Sequence, residues 1–290
     1  MTPDLTGKSP LLVFGGPYSN LRAVTALQAV ASELGLPAER CICTGDVVAY
    51  CVEPEETVAA MRDWGCPVIA GNCEEQLAAG APDCGCGFEE GTECDRLAKD
   101  WYAFANERIS EPSRAWMAAL PKTLTFAFGG SSFRIVHGGV DQINRFVFAS
   151  QRGDIADELD RARTDVVVAG HAGIPFIEPI GQRVWFNAGV IGMPANDGTP
   201  ECWYGLIRAE EGAVALSTHR LAYDHHGTAA TMRRWGHANG YARSLVTGLW
   251  PSLDVLPPEE RAATGRRLRP RTLRLPRRAG TRQLERGASA

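Results

Sequence analysis

Apolar and polar positions alternate in blocks along the first part of the chain. Leu11-Leu12-Val13-Phe14 is an unbroken apolar run bounded by Pro10 and Gly15-Gly16, the pattern of a buried strand. Asn20 then offers a helix cap, with Leu21, Val24, Leu27 and Val30 spaced to share one helical face. "CICTGDVV" (41–48) predicts a second strand running into a polar loop, Glu56–Trp64 a helix, and "CPVIAGN" (66–72) a third strand and loop. This alternation predicts a parallel βαβ arrangement.

The rhythm changes after residue 80. Residues 80–94 are rich in glycine, cysteine and acid and predict a long loop, followed by helices near 95–108 and 111–120. "KTLTFAF" and "FRIVH" flank a turn at Gly129–Ser132, the signature of a hairpin. Gly153–Arg163 predicts a helix and "DVVVAGH" (165–171) a strand. Two more hairpins follow, "IPFIEPI" with "RVWFN" and "ECWYGLI" with "AVALSTH", and then a helical region over 225–248. A βαβ half, a strand-rich half and terminal helices together predict a two-sheet α/β sandwich rather than one doubly wound sheet. The expected organisation is a main domain over 1–222, a helical extension over 223–260 and a tail over 261–290.

Composition narrows the class. Of 290 residues, 44% are hydrophobic and 22% charged, values ordinary for a soluble globular protein. No segment reaches the ~20 apolar residues of a membrane span. Met1–Pro10 lacks the basic flank and apolar run of a signal peptide, so a cytoplasmic protein is expected, with its nine cysteines reduced or metal-bound. The net charge of −4 hides a tail in which ten arginines face one acid, Glu285. The tail is expected to be disordered. Its charge also suits an arm for nucleic acid, anionic lipid or an acidic partner. The oligomeric state is not legible.

Four polar groups stand at the exits of apolar strands: Asp46 in "TGDVV", Asn72 in "AGNCEE", His137 in "VHGG" and His171 in "AGH". A lone buried histidine is ordinarily a satisfied core residue. Four such groups at four strand ends predict a shared site, because loops beyond strand C-termini build the sites of α/β folds. A carboxylate, an amide oxygen and two imidazoles suit Mn, Fe or Zn.

In this order, "GGPY", "TGDVV", "GNCE", "VHGG" and "GHAG" resemble the motifs D-x-H, GD, GNH[ED], H and GHxH of the calcineurin-like metallophosphoesterase family. The resemblance spans about residues 11–208 and includes "FNAGVIGMP". It implies the four-layer αββα fold of that family, with the C-terminal helices as an extension. It further implies that Asp46, Asn72, His137 and His171 complete one metal set. The other metal's private ligands are replaced by Gly16, Tyr18 and Gly173, and the family's general acid by Cys73. The expected function is therefore hydrolysis of a phosphomonoester or phosphodiester of a phosphorylated small molecule at one divalent ion per chain. Asp46 and Cys73 are its candidate catalytic groups. Tyr18 and Arg145 are candidate substrate contacts, Tyr18 as a hydrogen-bond donor or a space-filler and Arg145 as a phosphate clamp. The alternative is an inactive relative that binds a phosphorylated ligand or a protein partner. Cys73 is a weak acid, an extra ligand or an inert thiol. Cys84, Cys86 and Cys94 in "CGCGFEEGTEC" lack zinc-finger spacing and leave open a thiolate metal site, a redox-sensitive lid or plain buried thiols. His225 and His226 in "AYDHHG" read as an exposed helix start.

Overall fold

Strand β1 (Leu11–Phe14) is buried along its whole length, and its alternate residues feed two different cores. Leu11 and Val13 enter an apolar layer shared with the opposing sheet, while Leu12 and Phe14 enter one shared with helices. This period of two is what places the strand between layers. A computed structural model of the chain describes residues 5, 7, 9–237 and 240–277.

From β1 the chain passes through α1 (Leu21–Glu33) to β2 (Cys41–Cys43), which pairs parallel to β1. Helix α1 starts where expected: the Asn20 side chain accepts from the Ala23 N–H at 3.3 Å. Helices α2 (Pro54–Trp64), α3 (Asn72–Ala79), α4 (Glu93–Asn106) and α5 (Glu111–Ala118) follow. The second sheet is built from β3 (Leu124–Phe128), β4 (Ser131–Ile135), β5 (Val166–Ala169), β6 (Phe176–Ile180) and β7 (Arg183–Asn187). Helix α6 (Arg152–Ala162) lies before β5. The chain returns to the first sheet in β8 (Cys202–Glu210) and β9 (Ala213–Leu221). It closes with α7 (His225–Arg234), α8 (Gly240–Thr247), α9 (Pro258–Ala262) and β10 (Thr272–Pro276). The two five-stranded sheets run β10-β9-β8-β1-β2 and β3-β4-β5-β7-β6. Val13, Ile42, Phe133, Val166, Val168, Phe186 and Ile207 form the dry layer between them. Helices cover the first sheet on one side, and α6 covers the second on the other. The two-sheet α/β sandwich expected from the sequence is the observed fold.

Two expectations fail. "CPVIAGN" is not a third strand: Val68 forms only an isolated bridge to Cys43. Pro67 has no N–H for a ladder, and the Ala70 N–H turns away to the Pro121 carbonyl at 2.8 Å. Asn72 consequently opens helix α3 instead of ending a loop.

Nor is the tail disordered from residue 261. Residues 261–277 form a strap that ends in β10, an edge strand paired antiparallel to β9. The density of arginine masks a two-residue period in which Leu273 and Leu275 pack toward the inter-sheet core and Arg274 faces Glu210 at 2.8 Å. Residues 278–290 lie outside the described residues. The extension also shares the main core, since Ala229, Met232, Tyr241 and Leu245 join the cluster containing α1. Among the described residues no helix is long and apolar enough to cross a membrane.

Candidate metal centre

Asp46 follows β2 in a left-handed conformation (φ 57°) that non-glycine residues rarely adopt. Two contacts hold it there. The Tyr18 N–H donates to its carbonyl at 3.2 Å. Its own N–H donates to the Glu74 carboxylate at 2.7 Å. Glu74 accepts from Gly71, Val47 and Val48 as well, so one buried side chain ties the start of α3 to the Asp46 loop. Burial and the neighbouring Asp46 push Glu74 up to about 7, against the pull of these N–H donors. The sequence contained a signal for this role, because Glu74 stands three residues after Gly71, at capping-box spacing.

Asp46, Asn72, His137 and His171 converge. His137 Nε2 lies 3.0 Å from Asn72 Oδ1, 2.9 Å from His171 Nδ1 and 3.3 Å from Asp46 Oδ2. His171 Nδ1 lies 3.8 Å from the same Asp46 oxygen. Among the described residues, Asp46, His137 and His171 are the only set of three His, Cys, Asp or Glu whose ligating atoms lie within 4.8 Å of one another. All four side chains are buried.

The donor chemistry of this cluster suits a cation. His137 Nδ1 donates to the Thr44 carbonyl at 2.7 Å, which leaves a lone pair on Nε2 of the neutral ring. Asn72 Nδ2 donates to the Cys84 carbonyl at 2.8 Å, which fixes Oδ1 toward the centre. With His137 neutral, the acceptors His137 Nε2, Asn72 Oδ1 and Asp46 Oδ2 face one another beside His171 Nδ1. A divalent ion removes this surplus of lone pairs. Electrostatics agree. Burial disfavours the charge on Asp46, but His137 and His171 outweigh it and hold the carboxyl well below the usual range. Burial lowers His137 less than Asp46 and the Thr44 carbonyl raise it, so its net shift is upward, whereas burial carries His171 down.

Beside His171 lies a cavity of about 70 Å³, walled by Tyr18, Tyr50, Phe146, Gly173, Tyr241 and Trp250 among others. Its aromatic wall stands against glycine backbone. A Cβ at Gly16 would lie 2.4 Å from the ring of Tyr18, and one at Gly173 would lie 3.3 Å from Trp250. Two aromatic side chains thus stand against the backbone where the resemblance puts the first metal's ligands. Tyr18 keeps its phenolic proton, since burial and then Asp46 raise its pKa well above the usual value. Trp250 is fixed by its Nε1–H, which donates to the Pro194 carbonyl at 2.7 Å.

Other expected site residues fall elsewhere. Arg145 does not line the cavity: its guanidinium pairs with Asp154 and Glu158, each at 3.0 Å, and its neighbour Phe146 lines the cavity instead. Cys73 is buried beneath Asp46, outside the cavity wall, and burial with Asp46 and Glu74 raises its thiol well above the usual range. Among the described residues, Cys84, Cys86 and Cys94 do not bring three ligating atoms together. Cys84 and Cys86 are joined as a disulfide, and the Cys94 N–H donates to Asp254 at 3.4 Å. His225 and His226 begin α7, capped by Asp224, as expected for a helix start.

Residues 20–212 match the calcineurin-like phosphoesterase superfamily domain. The fold is similar to that of a metallophosphoesterase from Sphaerobacter thermophilus, with a TM-score of 0.64 and 21% identity over 84% of this chain and 100% of that one. It is also similar to hypothetical protein PH1004 from Pyrococcus horikoshii OT3, with a TM-score of 0.70 and 18% identity over 82% and 98%. No curated protein matches the chain. At these identities the structural likeness is one of fold.

Proposed function

Because this chain belongs to the calcineurin-like phosphoesterase superfamily, we propose that it hydrolyses a phosphomonoester or phosphodiester of a small molecule at a mononuclear centre. Asp46, Asn72, His137 and His171 are the residues that hold the ion. The observation that carries this reading is the convergence of their acceptors at one buried point, 2.9–3.3 Å around His137 Nε2, beside a cavity. When bound there, Mn, Fe or Zn supplies Lewis acidity toward a phosphoryl oxygen and a lowered pKa for water.

The chain's own residues prepare the site. The Thr44 carbonyl keeps the proton of His137 at Nδ1. Glu74 fixes the backbone of Asp46, and so the direction of its carboxylate. Tyr18 lines the cavity with its hydroxyl protonated, and donates to a substrate oxygen on the side where the family has a second ion. Cys73 keeps its proton below the cavity wall, so we assign it to positioning Asp46 rather than to protonating a leaving group.

The small, aromatic-walled cavity favours a second reading, in which the site binds a phosphorylated ligand without turnover. Metal analysis of the purified protein, with assays on p-nitrophenyl phosphate and bis-p-nitrophenyl phosphate, separates the two. One ion per chain with metal-dependent turnover that His171→Ala abolishes is the expected result. A loaded but inert protein favours the binding role, and two ions per chain overturn the mononuclear centre.

A further inference from the structure

A larger opening than the cavity beside His171 lies elsewhere. Helix α9 and the strap border a cleft of about 340 Å³, within the range of small-molecule sites. Its floor is apolar, formed by Phe148, Ile174, Phe176 and Trp203 among others. Arg266, Arg269 and Arg271 line it from the strap.

These arginines differ from their neighbours. Arg267 and Arg274 of the same strap reach Glu201 and Glu210, and Arg220 is held by Asp197. Among the described residues, the guanidinium groups of Arg266, Arg269 and Arg271 have no ion pair. The acids of the cleft do not supply one. Asp197 is taken up by Arg220 and the Leu268 N–H, and Glu260 by the N–H and hydroxyl of Ser150. Glu259, on α9, is the one acid of the wall without such a partner. Three like charges held around one opening repel one another, and an anion removes that repulsion. An apolar floor under a cationic rim selects a ligand with both features.

We propose that this cleft binds a small amphipathic anion, with an apolar body on Ile174 and Phe176 and an anionic head such as phosphate among the three arginines. The site is separate from the metal centre and independent of the reaction proposed there.

Calorimetric titration of the full chain with n-hexyl phosphate tests it, with inorganic phosphate, hexanol and a single-stranded oligonucleotide as comparison probes. Hexyl phosphate is expected to bind about tenfold or more tightly than either phosphate or hexanol, because head and body each contribute. Replacing Arg266, Arg269 and Arg271 together by Gln should weaken it about tenfold, as should Ala263→Trp, which fills the cleft from the strap. His171→Ala should leave the affinity unchanged. Loss of binding in His171→Ala with retention in the triple variant would assign the signal to the metal centre and overturn the proposal. The absence of saturable binding would also overturn it. So would an oligonucleotide that outcompetes hexyl phosphate on the same arginines, which would make the strap a polyanion surface.

Discussion

At the residue scale the centre depends on which ring nitrogen and which amide atom faces inward. His171→Ala removes one inward nitrogen and should lower metal content by more than about tenfold by elemental analysis. His225→Ala, at the start of α7 and outside the cluster, should leave it intact. Equal losses would put the ion elsewhere. The opposite side of the site is set by sterics. Gly16→Ala should destabilise the protein by about 1–3 kcal/mol in chemical denaturation, because the new Cβ meets the Tyr18 ring at 2.4 Å. Backbone strain adds to the clash, since Gly16 sits at φ 37°. A Gly16→Ala variant as stable as the parent would show that a side chain is tolerated there.

At the scale of elements, the loop between α3 and α4 reaches into the centre from behind. Asn72 Nδ2 touches the Cys84 carbonyl at 2.8 Å and Cys86 Sγ at 3.3 Å, so the loop orients the amide whose oxygen faces His137. Cys86→Ala, which also opens the Cys84–Cys86 bridge, should weaken metal affinity by about tenfold, as loss of an outer-shell partner does. A variant that binds metal normally would show that α3 alone orients Asn72. The strap makes a second prediction at this scale. Deleting residues 263–290 removes β10, bares the edge of β9 and strips Leu275 from the inter-sheet core. The melting temperature should fall by about 5 °C or more. Deleting 278–290 keeps every described contact and serves as the comparison.

Across the whole molecule, stability should depend on pH in a way that metal reverses. In the metal-free protein Glu74, raised to about 7, and His137, also raised, bind protons that the unfolded chain has released. Such groups contribute stability below their unfolded pKa values and lose it as pH rises through the folded ones. His171 is lowered and acts in the opposite direction, but only up to the ordinary histidine value of about 6.5. Metal-free melting temperatures should therefore fall above about pH 6.5. With metal present they should rise over the same range, because the ion needs His137 deprotonated. Parallel curves with and without metal would contradict a site at His137.

Local sequence carried much of this molecule, and the reason is range. Strand and helix periods repeat within a few residues, so β1, α1 and the hairpins of the second sheet are legible without any partner. Asp46, His137 and His171 are legible for a related reason: each follows a strand, next to glycines, in a loop whose place the strand dictates. What the sequence left open was decided by contacts between distant segments. Pro67 and the Pro121 carbonyl turned an apolar run out of the sheet. Asp154 and Glu158 claimed Arg145. Arginine-rich residues became a strap and a strand once β9 offered an open edge. Trp250, outside the motif region, closed on Gly173 beside the site. No window of sequence contains both partners of these contacts, and burial energy depends on the pair. The composition of the cavity wall was therefore settled only when the chain folded.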